Sequence, residues 1–179
     1  VKYSPHVSGV RQALRDATSD SHHRVDTLFS GYRLDSQSDY GAFLTAHARA
    51  LGALESVARP ASPRLSLIAA DLAAMDMAMP APLFLADPER DGYRWGLLYA
   101  LEGSRLGGAM LARQVAPGLP RAYLSAVHGK GGWVEFQHAL DRAASDGGEG
   151  WLDDAVQGAQ AAFALFAAAS QPEPVAAHG

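Results

Sequence analysis

The chain has 179 residues, 48% hydrophobic and 19% charged, which suits one globular domain over residues 1–179 rather than a disordered segment. A formal net charge of −4 argues against a nucleic-acid binder, and the lack of cysteine excludes disulfides, thiolate metal sites and cysteine nucleophiles. No run reaches the ~18 apolar residues of a membrane span and the N-terminus shows no basic-then-apolar pattern, so a cytoplasmic protein without membrane association is expected.

Ala and Leu are the commonest residues, with Arg and Asp frequent, β-branched runs are scarce, and no stretch alternates with period two, so the fold class is all-α. The first helix is predicted over Ser8–Phe29, with Val10, Leu14, Ala17, Val25 and Leu28 on its apolar face and Gly31 beyond its end. The second begins after Asp35 or Ser36, repeats Tyr40, Phe43, Leu44, His47, Leu51 and Leu54 at helical spacing, and stops at Pro60. A third spans Pro63 to Met77, with Pro63 in its first turn. Met79-Pro80-Ala81-Pro82 reads as a loop. The fourth helix spans Pro88 to Ala116 and contains Gly96, Gly103, Gly107 and Gly108. A short helix is expected over Pro120–Val127, then helices over Trp133–Ala144 and Trp151–Ala169, with a disordered tail over 171–179. One bundle-like helical domain accommodates these pieces.

Two places carry candidate chemistry. On the first helix, Arg15, Thr18, His22 and Asp26 share one stripe, because residues three, four and seven apart stack on the same face. Arg15 and His22 stand roughly 10 Å apart along the axis. That is the reach of a haem from its iron to its propionates, so an imidazole ligand and a guanidinium at a carboxylate fit one ring. Asp26 is placed to accept a hydrogen bond from the second imidazole nitrogen. A solvated charge cluster on a surface helix fits the same stripe. His6, His23, His47, His128, His138 and His178 show no close metal-ligand spacing and read as structural or exposed.

On the fourth helix, Tyr99, Gly103 and Gly107 follow at intervals of four, with Gly108 adding width. Each interior glycine costs roughly 1 kcal/mol relative to alanine, so something must offset it. A bare face admits either a second helix at close approach or a flat ligand lying across the backbone.

Together these motifs resemble the haem oxygenase family, closest to its bacterial branch. Leu14-Arg15-Asp16-Ala17-Thr18-Ser19-Asp20-Ser21-His22 is similar to the proximal-helix motif, and Glu102-Gly103-Ser104-Arg105-Leu106-Gly107-Gly108 to the distal one. Gly132-Trp133-Val134-Glu135-Phe136 and the late pair Phe163 and Phe166 fit the bacterial pattern, and the likeness runs from about Gly9 to Ala168. The resemblance implies a helical bundle that sandwiches haem between its first and its glycine-rich helix. It implies that His22 is the axial iron ligand and that Gly103, Ser104 and Gly107 form the oxygen pocket. Arg15, Thr18, Asp26, Tyr99, Gly108, Phe163 and Phe166 would then contact the ring. It further implies oxidative cleavage of haem, both substrate and prosthetic group, to biliverdin, carbon monoxide and ferrous iron. Dioxygen is consumed, and electrons come from an external ferredoxin or flavin reductase, since no nucleotide fingerprint is present. A bilin-using photoreceptor downstream is one expected partner. The sequence departs from animal members at Ser104, where they carry Asp, and in the last helix, whose polar residues are Gln157 and Gln160 rather than basic ones. A haem carrier that leaves the ring intact, and a helical interaction module, are the alternatives. A di-iron carboxylate bundle would need Glu-x-x-His pairs, which the sequence lacks.

Overall fold

The periodic segments fold as helices where burial and caps support them, and shorten where they do not. A computed structural model describes residues 8–171. It contains α1 (Ser8–Phe29), α2 (Gln37–Ala58), α3 (Leu65–Ala74), α4 (Asp91–Ala112), α5 (Gly132–Asp146) and α6 (Trp151–Ala169), with no strand among the described residues. The expected tail over 171–179 lies, apart from Gln171, outside the described residues, as do His6 and His178.

Two helix starts move and one expected helix is lost, each for an identifiable reason, and α3 and α4 end earlier than expected, at Ala74 and Ala112. The helix expected from Pro63 begins at Leu65, because the Glu55 carboxylate accepts the amides of Arg64 and Leu65 at 2.6 and 2.9 Å. That contact caps the first turn from outside. The helix expected from Pro88 begins at Asp91, after Glu89 takes a left-handed φ of 57°. No helix forms over Pro120–Val127. There the Asp71 carboxylate accepts the amides of Ala122 and Tyr123 at 3.0 and 2.9 Å, and the chain makes a turn. On α2, Ser36 caps the start by accepting the Asp39 amide, and Arg59 closes the end in the left-handed region at φ 49°.

The main core gathers Tyr40, Phe43, Leu44, Leu51 and Leu54 of α2 with Ile68, Leu72, Leu97, Leu101 and Phe166. Leu44, Leu51, Leu54 and Leu97 are fully buried, and each contributes roughly 1.5–3 kcal/mol by leaving water. A second cluster joins Val10 and Leu14 of α1 to Leu140 of α5 and Trp151, Ala155 and Ala159 of α6. Arg11 adds a forked contact from α1 to the buried Asp141 carboxylate of α5.

The closest helix pair is α4 against α6, and glycine makes it possible. A Cβ on Gly92 or Gly96 would stand under 3.0 Å from the backbone of Trp151 or Ala155, and one on Gly158 would meet the Tyr93 carbonyl as closely. The two helices therefore touch backbone to backbone. The Trp151 indole donates to Asp91 at 2.8 Å and pins their N-terminal ends together.

Candidate functional site

Helical geometry puts Gly92, Gly96, Gly103 and Gly107 within about 60° of one another around α4. The first two are filled by α6. The second two are not. Among the described residues, a Cβ on Gly107 would meet nothing within 4 Å, and one on Gly103 would meet only Trp133, at 3.9 Å. Thus α4 and α6 part company after Gly96, and the glycine stripe continues into open space. Leu106 and Met110 lie beside that strip within a sector of about 100°, and they are 54% and 70% exposed. Bare backbone beside two exposed apolar side chains leaves room for an apolar, flat occupant.

The first helix brings Arg15 and Thr18 of the predicted stripe to Tyr99 of α4. Thr18 is buried and donates from Oγ1 to the Leu14 carbonyl at 2.7 Å. The Tyr99 phenol of α4 lies close to it. Burial raises its pKa above the ordinary tyrosine value, while the Arg15 guanidinium and the Thr18 hydroxyl pull it back. Arg15 and Tyr99 therefore share one end of the site. His22 is on the exposed side of α1, its side chain 63% exposed, with its ring centroid 5.5 Å from that of Phe163 on α6. Asp26 approaches the Nε2 of His22 at 3.5 Å, an open contact between two exposed groups and not a close hydrogen bond.

Several predicted residues do not join this group. The missing side chain of Gly108 faces the Leu124 carbonyl, 2.5 Å from where its Cβ would be, so this glycine serves the packing of the 120s turn. Phe166 is buried in the main core, 5.3 Å from the ring of His47, and only Phe163 of that pair reaches His22. Ser104 is exposed beside Gly103, but its hydroxyl turns back along the helix. It donates to the Leu101 carbonyl at 2.6 Å and accepts from Arg64 Nη2 at 2.7 Å. Gln160 donates to the Ala17 carbonyl at 3.3 Å, which ties α6 to α1.

Behind α4 lies a buried polar group that periodicity did not reveal. Glu102 Oε2 accepts from Arg105 Nε at 3.0 Å and from His128 Nε2 at 2.7 Å. Arg105 also donates to the carbonyls of Ser62 and Ala126. Arg64 donates to the Leu101 carbonyl at 3.1 Å and stacks over Tyr123 at 5.1 Å. The Tyr123 hydroxyl in turn pairs with His47 Nδ1 at 2.7 Å. Burial drives the pKa of His47 down to about 3, with the Arg64 charge adding to it, so this imidazole is neutral. The effect is mechanical. Leu101, Glu102, Ser104 and Arg105 are held from the rear, so α4 needs no packing on its glycine side. The spacing of Glu102 and Arg105 was visible in the sequence; their partners, Ser62, Ala126 and His128, come from distant loops.

The fold is similar to that of a solved haem oxygenase, and part of the sequence is similar to a curated one. The chain superimposes with a TM-score of 0.74 on the haem oxygenase of Neisseria meningitidis solved with NO and CO bound, 23% identical, over 90% of this chain and 89% of that one. By sequence it is similar to a haem oxygenase of Xanthomonas campestris pv. campestris (strain 8004), 37% identical over 98 residues. That stretch covers 51% of this chain and 55% of the relative, so the match spans little more than half the relative's length. No family model matches the sequence.

Proposed function

We propose that this chain is a haem oxygenase, which opens the porphyrin ring with dioxygen and external electrons to give biliverdin, carbon monoxide and ferrous iron. The observation that carries the reading is the undressed strip of Gly103 and Gly107 beside exposed Leu106 and Met110. The donor set suits the group. An accessible imidazole is a good iron ligand, a guanidinium meets a propionate, and bare backbone accepts the face of a macrocycle. Haem bound there supplies both the iron that takes up dioxygen and the ring carbon that is oxidised.

The protein's part is positional. His22 would offer its imidazole to the iron, with the Asp26 carboxylate facing that ring. Arg15 and Tyr99 hold the carboxylate edge. Gly103 and Gly107 keep side chains away from the oxygen-binding side. Ser104, hydrogen-bonded by Arg64, holds a proton-bearing hydroxyl on the residue next to Gly103. An external reductase is required, since the reading assigns no electron carrier to the chain itself.

The test is direct. Purified protein titrated with hemin should develop a histidine-ligated Soret band, and reductant in air should replace it with a biliverdin spectrum. His22→Ala should lose the histidine-ligated band. A stable band that survives reductant and air would instead mark a carrier, and no Soret change would remove haem from the reading altogether.

A further inference from the structure

The α5 side of the strip has a wall that the reading above leaves unused. Among the described residues outside the helix's own backbone, Trp133 Cη2 is the atom within 4 Å of the Cβ position of Gly103. Any flat ligand laid on that backbone must abut the indole rim. The indole is itself clamped. One neighbour is Phe136, stacked at 5.6 Å and 22°, which leans in turn on Trp95 at 6.0 Å. The other is His128, with its ring centroid 5.8 Å away. His128 is anchored by its Nε2 on Glu102, the residue before Gly103. Four residues, Glu102, His128, Trp133 and Phe136, thus tie the side wall to the helix that carries the bare strip.

We infer that Trp133 is a specificity-determining residue whose rim fixes the in-plane orientation of the ring on Gly103. His128 is its positioning residue, acting through Glu102. The inference rests on the proposed haem reading. Its physical basis is shape. With its carboxylate edge toward Arg15 and Tyr99, a macrocycle on smooth glycine backbone can still seat in more than one orientation about its normal, and ring substituents that must clear a rigid indole leave fewer of them. Orientation decides which ring carbon lies under the oxygen pocket. Trp133 therefore selects the product isomer without touching the reacting atoms.

The experiment reads seating without turnover. Hemin is added to the full chain, the ferric form is trapped with cyanide, and the ring-methyl proton resonances are integrated for each orientation. Wild type should show one dominant seating. Trp133→Ala should raise the minor seating about fivefold, the scale of one aromatic contact. The biliverdin isomers, separated by chromatography after turnover, should shift with it. Trp133→Phe retains a partner for Phe136 while withdrawing the rim, and should give an intermediate ratio. His128→Ala should move the ratio the same way by a smaller factor. Unchanged seating in Trp133→Phe and in Trp133→Ala overturns the inference while leaving haem binding intact. Unchanged seating in His128→Ala removes the positioning role. Failure of the wild type to bind hemin overturns the haem reading and this inference with it.

Discussion

Gly107→Ala separates ligand binding from folding more sharply than any other single change. In a helix interior, glycine is less stable than alanine by about 1 kcal/mol. The new methyl at residue 107 meets nothing within 4 Å among the described residues, so no clash offsets the gain. The ligand-free variant should therefore be more stable by about 1 kcal/mol, which for a chain of this size raises the melting midpoint by about 2–4 °C. Gly96→Ala is the matched control. It has the same propensity gain, but its methyl would stand under 3.0 Å from the backbone of Ala155 and Ala159. Overpacking of that kind costs about 1–3 kcal/mol, so the midpoint should fall. Function should run the other way. The methyl of Gly107→Ala projects into the strip and displaces a ring by the order of 1 Å. A misplacement of that size costs about 100-fold in rate. The assays are thermal unfolding of both variants without ligand, followed by hemin titration and single-turnover ring cleavage of Gly107→Ala. If Gly107→Ala unfolds earlier than wild type, the strip is packed rather than open. If it is more stable and cleaves the ring at the wild-type rate, glycine at 107 has no ligand role.

Two further outcomes test the support behind α4. His47 is neutral in the fold with a pKa of about 3, below the ~6.5 of the unfolded chain. Between those values the unfolded state binds the extra proton, so stability rises with pH and is lost as pH falls below 6.5. The limiting slope is about 1.4 kcal/mol per pH unit. His47→Gln, which can still bond the Tyr123 hydroxyl, should flatten the acid limb of a stability-against-pH curve measured by urea unfolding; an unchanged limb would discard His47 as its source. Glu102→Gln removes the charge that faces Arg105 and His128 in a site where its side chain is 13% exposed. The cost should be about 2 kcal/mol, below that of a fully enclosed pair because Arg105 keeps two carbonyl acceptors. Thermal unfolding should show it, and a midpoint within 1 °C of wild type, well inside the shift about 2 kcal/mol gives, would mean the network contributes little.

Helix identity was legible because the pattern is strong. The heptad-like run from Tyr40 to Leu54 on α2 became the most buried stretch of the core, and the Ser36 and Pro60 signals bracket it. Errors fell where a side chain from far away captured backbone amides. Asp71 turned 122–123 out of a helix and Glu55 set the first turn of α3, and neither contact has a local signature. The stripe Arg15, Thr18 and His22 was readable from spacing alone. Phe166 was not, since whether an aromatic on α6 faces α1 or the core depends on how that helix is rotated, which its packing on α4 decides.

The glycines of α4 show the limit most clearly. Helix packing and a flat ligand were rival explanations for the stripe of Tyr99, Gly103 and Gly107; α6 packs on the glycines before it, Gly92 and Gly96, and leaves Gly103 and Gly107 bare. Gly92 and Gly96 meet α6, Gly103 meets the rim of Trp133 on α5, Gly107 meets nothing among the described residues, and Gly108 meets the 120s turn from another side. Nothing in the period distinguishes the two pairs, because all four positions point the same way. What separates them is the divergence of α4 from α6, a tertiary angle. That divergence is tolerable only because Glu102, Ser104 and Arg105 are gripped from behind by Arg64, His128 and backbone carbonyls. The buried charges are thus the complement of the bare face: a helix with little on its front must be held by its back.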